Sequence, residues 1–549
     1  MRLLRELKPA IMEFAPVASA ALTLVAGVML IASAATPSVP SRVVELISIT
    51  PVILLEISHF LSSVLGLALI LLAFGLRARL DAAWAATMCV LALSAPLTLL
   101  KGINWEETAA LVVLWLLLAP LRQAFPRKAR LSQMEITPGW LASAAAVLLG
   151  AGLLGLWSFR HADYADQAWW KVMVDDDAAR AIRAWMGAAV ALFAFGMWRL
   201  FASAATPRVV GDADADFESV RRILASAEVA EPSSNLALLG DKRFLFSQSG
   251  DSFLMFGVRG RSWIALGAPV GRREERLELM WRFRELADSH AARAGFYNLD
   301  ADDLPDVVEL GLSIQKVGEA ATVPLDNFRI EGRKRGNLRR AWRKLGEEGA
   351  TFEVLAPGAP GEVICELQAI SDSWLSKHAG GEKGFSMGGF HPRYVAEFPI
   401  AVVRQDGRIV AFATLWTTAA RTSFSMDLMR YADDAPKNVM DFLFIELIAW
   451  GRAQGYQAFE FGMAPLAGLE DRPLAPIMSR VGRMLFERGE EIYNFQGVYR
   501  YKDKYDPVWR PRYFAAPRKW TMPLLLADLS LLSSGGVAGL AKRPRRDEG

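Results

Sequence analysis

This sequence predicts a membrane-embedded, all-α N-terminal half followed by a soluble half of α/β (α+β) type. Three observations predict it. Nearly all the long apolar runs lie within the first 200 residues. The composition turns to that of an ordinary soluble domain near residue 207. Beyond that point short strand-like runs alternate with stretches of helical period. The chain has 549 residues, 52% of them hydrophobic, with 62 basic against 59 acidic side chains. Its second half is long enough for two cores of ordinary size.

The membrane half is read first. Residues 14–35, 82–100 and 136–159 carry no charge, and each run can cross roughly 30 Å of hydrocarbon as a helix. Residues 51–74 are apolar except for Glu56 and His59. Residues 108–121 and 184–198 are shorter runs whose flanking Glu106, Glu107 and Arg199 can snorkel to the interface. The count is about six spans over a transmembrane domain of residues 1–206. The basic start, with Arg2, Arg5 and Lys8, precedes no persuasive cleavage site, so it reads as an uncleaved anchor. Basic loops (Arg77 and Arg79; Arg122, Arg127, Lys128 and Arg130) alternate with a loop rich in Asp163, Asp166 and Asp175 to Asp177. The positive-inside rule then puts both termini in the cytoplasm of a multi-pass protein of the bacterial inner membrane. Glu56 and His59 are one helical turn apart. They line an ion or headgroup site, or they sit at the membrane interface.

In the soluble half, residues 214–227 read as an amphipathic lead-in helix. Strands are expected at 244–247, 253–258, 263–266 and 295–299, with a helix over 274–292 between the last two and a further apolar stretch at 307–317. The pattern then partly repeats. Residues 394–404 and 409–417 read as a hairpin about Asp406 and Gly407, and 423–428 as a third strand. A strong helix follows over 439–452, then a strand at 458–461 and a helix at 477–488. Two blocks of about 150 residues predict two similar α/β domains, at 207–323 and 361–545, joined by a basic helical region at 324–360.

Three constellations could carry chemistry. Arg329, Arg333, Lys334, Arg335, Arg339, Arg340, Arg343 and Lys344 place eight cations within sixteen positions, offset only by Glu331. Leu338, Trp342 and Leu345 recur beside them at helical spacing, so this is a helix with an apolar stripe and a cationic remainder. It suits a phosphate backbone or an anionic lipid surface, or it is a solvated face. In residues 499–510 cations alternate with aromatics: Arg500, Tyr501, Lys502, Lys504 and Trp509 could stack bases and hold phosphates, or the alternation marks a strand with one buried face. Asp427 and Arg430 fall where a strand runs out toward a helix, a position suited to catalysis in α/β folds and also to an ordinary polar loop. With two cysteines, five histidines and no phosphate-cradling glycine loop, neither a metal nor a cofactor is expected, and an ATP or acyl-CoA enzyme is disfavoured.

These residues also carry a resemblance. NLALLGDKRF at 235–244, RGRSWIALGAPVG at 259–271, RGNLRR at 335–340, SMDLMRY at 425–431, YNFQG at 493–497 and KDKYDPVW at 502–509 resemble, in order, the catalytic part of the multiple peptide resistance factor family, the aminoacyl-phosphatidylglycerol synthases. The resemblance implies tandem acetyltransferase-like domains that take aminoacyl-tRNA as donor and phosphatidylglycerol as acceptor. The transferred group would be lysyl, with alanyl or another as alternatives, and the product would alter surface charge and resistance to cationic peptides. Asp427, Arg430, Lys502 and Lys504 fall where the family places residues important for activity. Arg335, Arg339, Arg340, Arg343, Arg500, Tyr501 and Trp509 are the candidates for tRNA or lipid-phosphate binding. With only six spans ahead of the enzyme half, the family's dedicated flippase spans are expected to be missing.

The implied chemistry is transesterification. The donor is already an activated ester, so the step needs no ATP, and the protein must align the reactants, move a proton and stabilise an oxyanion. Anionic membrane lipid is a further expected partner, and a homo-oligomer could form through the membrane half. The rival readings are a transporter or flippase with a regulatory cytoplasmic domain, and tRNA-dependent transfer to a lipid-linked peptidoglycan precursor.

Overall fold

The structure, a computed structural model, describes residues 2–35, 52–102, 104–127, 213–331, 335–377, 382–488 and 495–534. The chain divides into two compact units, the first essentially Met1–Thr206 and the second beginning at Pro207.

In the first unit, helices α1 (Arg2–Ala35), α2 (Val52–Arg77), α3 (Asp81–Gly102) and α4 (Trp105–Leu118) are described, and a 3-10 turn, Ala119–Ala124, extends the last. Among the described residues, three segments are long and apolar enough to cross a membrane: Phe14–Ser33, Asp81–Leu99 and Trp105–Ala124. The chain is a multi-pass membrane protein. Small residues bring α1 and α2 together: a Cβ on Gly27 would lie 2.7 Å from the Gly66 carbonyl, and one on Gly66 2.8 Å from that of Gly27. Some hydroxyls inside the bundle are satisfied locally, Thr87 on the Ala83 carbonyl at 2.7 Å and Thr98 with Thr108 at 2.7 Å. The expectation that the membrane spans of a flippase part are missing is corrected here. Three helices of membrane-crossing length and composition precede the α/β unit, so a lack of N-terminal spans is not a property of this chain. The expected spans at 136–159 and 184–198 and the acidic loop between them lie outside the described residues, as do the side chains of Glu56 and His59.

The second unit is a mixed α/β structure on one sheet of 11 strands, ordered β1-β2-β3-β4-β11-β5-β10-β9-β8-β7-β6. After helix α5 (Ala213–Ser226) come β1 (Arg243–Phe246), β2 (Phe253–Arg259), β3 (Ser262–Leu266), α6 (Arg276–Ser289), β4 (Arg293–Leu299), α7 (Leu304–Glu309) and β5 (Ser313–Pro324). Then follow α8 (Gly336–Glu347), β6 (Thr351–Leu355), α9 (Gly361–Lys377), α10 (Pro392–Ala396), β7 (Ile400–Gln405), β8 (Arg408–Thr417), β9 (Ser423–Tyr431) and α11 (Val439–Ala453). The chain ends its described part with β10 (Ala458–Pro465), α12 (Ile477–Arg488), α13 (Phe495–Asp503), β11 (Val508–Ala516) and α14 (Met522–Ser533).

The sheet repeats a pattern at its two ends. Antiparallel β2 and β3 lead through α6 to β4, parallel to β3; antiparallel β8 and β9 lead through α11 to β10, parallel to β9. The next strand of each half then crosses over. β5 pairs with β10 and β11, while β11 pairs with β4 and β5. The two halves thus exchange their last strands. Arg512 on β11 adds a buried ion pair with Glu231, and Asp300 at the end of β4 lies 3.7 Å away, so charge as well as the ladder anchors the exchanged strand.

The core explains the pattern of residues. All five residues of β3 are buried, as expected of a strand covered on both faces. α11 buries Phe442, Leu443, Phe444, Leu447 and Ile448 against Phe424 of β9 and Phe459 of β10. Several expected boundaries move for identifiable reasons. Residues 394–404 do not form one strand, because Pro392 starts a helical turn ahead of β7. The stretch 307–317 is split by Gly311, at φ +65, into the end of α7 and the start of β5. The alternating tail is a helix to Asp503 and a strand only from Val508, with Asp506 at φ +53 and Pro507 between.

Candidate functional site

Strand β9 follows β10 for only three paired positions, the last being Ser425 beside Glu460, where the Ser425 hydroxyl donates to the Glu460 carbonyl at 2.7 Å. Beyond this point the register of β10 shifts between Glu460 and Met463, with Gly462 at φ +74, and β10 continues along β5. Two parallel strands that part in this way open a crevice at their carboxyl ends. Asp427 lies on β9 two residues past the fork.

Asp427 is held from two sides. Its Oδ1 accepts the Gly388 N–H at 2.9 Å and its Oδ2 accepts the Tyr394 hydroxyl at 2.9 Å. Tyr394 in turn accepts Trp416 Nε1 at 3.2 Å. A Cβ at position 388 would run into the Asp427 carboxylate, so only glycine fits there. Burial pushes the Asp427 carboxyl up to about 6, and the hydrogen bonds from Tyr394 and Gly388 and the charges of Lys242 and Arg430 restrain the rise. Lys242 is itself buried, its Nζ 2.6 Å from Asp241 Oδ1, and burial lowers its proton affinity. The other Asp241 oxygen accepts the Phe385 N–H at 2.5 Å. Tyr394 is raised well above its usual range by burial and by the facing Asp427 charge, so it stays a neutral donor.

Arg430, three residues along β9, is buried and already engaged. Its guanidinium forks onto both oxygens of Glu382 at 2.9 Å each, touches the Ser371 hydroxyl and lies 5.4 Å over the Trp374 ring. Glu382 also accepts the Phe390 N–H at 3.1 Å. The segment from Glu382 to Phe390 is therefore pinned at its ends by Arg430 through Glu382, and along its length by Asp427 and Asp241. The fork of Arg430, a residue that the family resemblance marks as important for activity, is thus occupied by Glu382. Lys242, Tyr394, Glu382 and Gly388 were not singled out from the sequence. Lys242 lay in a quoted motif, and the Gly388-Gly389 pair was a legible mark of close approach.

The tail residues form a second cluster on α13 and the loop after it. Lys502 Nζ donates to the carbonyls of Gly462 and Met463 at 3.0 Å each, on the bulged side of the fork, and burial lowers it to about 7. Lys504 lies 3.6 Å from Asp441 and 4.5 Å over the Tyr501 ring. Tyr505 donates to Asp441 at 3.1 Å. Tyr499 and Trp509 stack on each other at 4.2 Å, and Trp509 Nε1 reaches Asp503 at 3.3 Å. Arg500 is exposed and reaches back to Gln496 at 2.8 Å.

The cationic helix is α8. Leu338, Ala341 and Leu345 bury one face, and Trp342 Nε1 donates to Glu446 of α11 at 2.7 Å. Its cations divide into two kinds. Arg335 donates to the Tyr505 carbonyl at 3.1 Å and lies 4.4 Å over Phe328, and Arg339 reaches the Ile330 carbonyl at 3.4 Å. Arg340, Arg343 and Lys344 project to solvent. Arg333 and Lys334 lie outside the described residues.

Membrane-crossing helices joined to an eleven-stranded mixed sheet with a buried acid at a strand fork define a membrane-anchored α/β protein. The family model for the C-terminal part of phosphatidylglycerol lysyltransferase matches residues 221–516. The chain belongs to this family. Among similar proteins, the phosphatidylglycerol lysyltransferase of Bacillus subtilis is 37% identical over 283 residues, 51% of this chain and 33% of that protein. That of Staphylococcus aureus strain MRSA252 is 33% identical over 281 residues, with the same shares. The match thus spans a third of the length of these relatives. Two solved structures are similar to the second unit. A C-terminal lysylphosphatidylglycerol synthetase domain from Agrobacterium fabrum is 40% identical with a TM-score of 0.54, over 59% of this chain and 99% of that one. L-PGS from Bacillus licheniformis is 36% identical with a TM-score of 0.52, over 58% and 96%.

Proposed function

We propose that this protein transfers an aminoacyl group, lysyl foremost, from aminoacyl-tRNA to phosphatidylglycerol at the cytoplasmic face of the membrane. The two halves of the sheet act as tandem acetyltransferase-like domains. The observation that carries the reading is the Asp427 carboxylate, raised to about 6 and held between Gly388 and Tyr394 at a strand fork. It is a buried acid, raised by that burial, in a chain of the lysyltransferase family.

The reaction exchanges one ester for another. A glycerol hydroxyl of the lipid attacks the aminoacyl carbonyl, a new C–O bond forms, the bond to the tRNA ribose oxygen breaks, and the lipid's proton ends on that ribose oxygen. Ionised Asp427 orients the attacking hydroxyl or the donor amine, as a carboxylate with one lone pair left on each oxygen can. Tyr394 keeps it aligned. Arg430 acts through Glu382 and the 382–390 segment as a positioning residue. Lys502 fixes the carbonyls of Gly462 and Met463 on the bulged side of the fork. Arg340 and Arg343 hold the tRNA backbone on the outer face of α8.

Expression in a host free of aminoacyl lipids, followed by mass spectrometry of the lipid extract, tests the reading. A new aminoacylated phosphatidylglycerol that disappears in Asp427→Ala at equal protein level is the expected result. An unchanged lipid profile with wild-type protein in the membrane overturns it, and aminoacylated peptidoglycan precursor in its place would assign the fold to the rival reaction.

A further inference from the structure

Helix α12, Ile477–Arg488, faces the wrong way for an ordinary surface helix. Its inner face carries Ser479 and Gly482, with half-buried Phe486 between them packing edge-on against Tyr499. Ser479 is buried and its hydroxyl accepts Gln315 Nε2 at 2.9 Å. Gly482 is buried so close to Leu469 that a Cβ would lie 2.5 Å from its Cδ1. Its outer face is apolar: Ile477 is 76% exposed, Val481 43%, Met484 49% and Leu485 37%, and Leu474 just ahead of the helix is 99% exposed. At 3.6 residues per turn the four of these that lie on the helix, Ile477, Val481, Met484 and Leu485, fall within an arc of about 100°. Pro473 and Pro476 bracket Leu474, so the backbone that presents it has little freedom left to lose.

We propose that α12 is an interfacial helix that lays this stripe into the surface of a lipid bilayer. The occupant follows from the chain itself. Among its described residues the N-terminal unit holds three segments long and apolar enough to cross a membrane, so a bilayer is always tethered to the α/β unit at high effective concentration. The charges beside the stripe set the mode of binding. Arg483 pairs with Glu487 at 2.7 Å and Arg472 with Glu470 at 3.4 Å, which leaves exposed Arg480 at the stripe's edge to meet headgroups. Near-balanced charge makes insertion of apolar side chains the driving force, as for weakly charged in-plane helices. α12 thereby differs from α8, whose outer face is cationic. The inference does not depend on which group the protein transfers.

The test uses the full chain reconstituted in vesicles, with Cys89 and Cys365 replaced by Ala and a single Cys carrying an environment-sensitive fluorophore. In Val481→Cys the emission shifts to the blue and is quenched by nitroxide-labelled lipid; in Glu487→Cys, on the helix flank, it is not. The difference persists in pure phosphatidylcholine and at about 0.5 M salt, roughly five-fold above the ionic strength at which exposed charges act over about 10 Å. Equal emission and equal quenching at the two positions overturn the proposal. So does a signal that appears only with phosphatidylglycerol at low salt, which would assign docking to charge. A blue shift at 481 that grows with protein density but ignores the lipid quencher would give the stripe to a second copy of the chain and overturn it too.

Discussion

At the scale of single residues, the site is a carboxylate whose neighbours set its proton affinity. Asp427 is raised from 3.8 to about 6, chiefly by burial. The sign for stability follows: a carboxyl raised on folding favours the folded state below pH 3.8, and that contribution is lost as pH rises through about 6, at a cost of about 3 kcal/mol at 1.36 kcal/mol per unit. Asp427→Asn should therefore flatten the dependence of Tm on pH between 4 and 7 while abolishing lipid product. Wild-type turnover should fall as pH drops below about 6, because the ionised form is then lost. A variant with unchanged product, or an acid limb that stays in Asp427→Asn, removes Asp427 from the mechanism. Gly388→Ala is the companion prediction. Its Cβ has no room beside the carboxylate, so turnover should drop at least 100-fold with the far-ultraviolet circular dichroism unchanged, since a displacement of ~1 Å at a positioning group costs about that much. Arg430→Lys should fail to restore Arg430→Ala, because an ammonium cannot fork onto both Glu382 oxygens. Assaying product for the three proteins at equal expression checks it.

At the scale of elements, the cationic helix shows what a sequence discloses and what it withholds. The density of Arg and Lys over 329–344 and the spacing of Leu338, Trp342 and Leu345 announce a helix with one docked face, and α8 is that helix. Which cations are free is not legible, because it depends on chain segments far away in sequence: the Tyr505 carbonyl that engages Arg335 is 170 positions on. The same reason hid the site's second carboxylate, Glu382, which matters only because β9 brings Arg430 to it. The helix at 477–488 was legible in its limits, but not in its inverted facing, since periodicity locates a stripe without saying which side is covered. The tail misled more deeply. Its alternating cations and aromatics fit a strand, yet helix propagation to Asp503 wins, and the aromatics Tyr499 and Trp509 cover each other. The prediction at this scale separates the two kinds of cation. Arg340→Ala with Arg343→Ala should weaken tRNA binding and lower the slope of log K against log salt by roughly 1.4 to 1.8, at 0.7 to 0.9 per phosphate contact, for cognate and non-cognate tRNA alike. Arg335→Ala should instead cost about 1–3 kcal/mol of stability, through the lost Tyr505 hydrogen bond and the Phe328 contact. Filter binding across a salt series and denaturant melts distinguish them; a salt slope unchanged in the double variant would return α8 to a solvated face.

At the scale of the whole molecule, the exchange of β5 and β11 decides where the chain can be cut. The sequence offered two similar blocks in succession. It misses the exchange, because no local pattern records that the last strand returns to sit between β4 and β5. A cut near residue 210 falls ahead of α5 and leaves all 11 strands in one piece. The fragment from there to the C-terminus should fold alone, bind tRNA, and modify phosphatidylglycerol only when the lipid is offered in vesicles or detergent, since it has lost its tether. A cut before Val508 removes few residues but takes β11 out of the middle of the sheet. It strips hydrogen-bonding partners from both β4 and β5 and removes Phe514, Leu525 and Leu529 from the core. Two unpaired strand edges inside a sheet are a template for aggregation, so the same fragment starting near residue 210 but ending at Pro507 should be insoluble. Expressing the two fragments side by side and measuring soluble yield and tRNA retention checks the pair. If the chain ending at Pro507 stayed soluble and bound tRNA as well as the longer one, β11 would not be holding the two halves together, and the exchange of strands would lose its structural consequence.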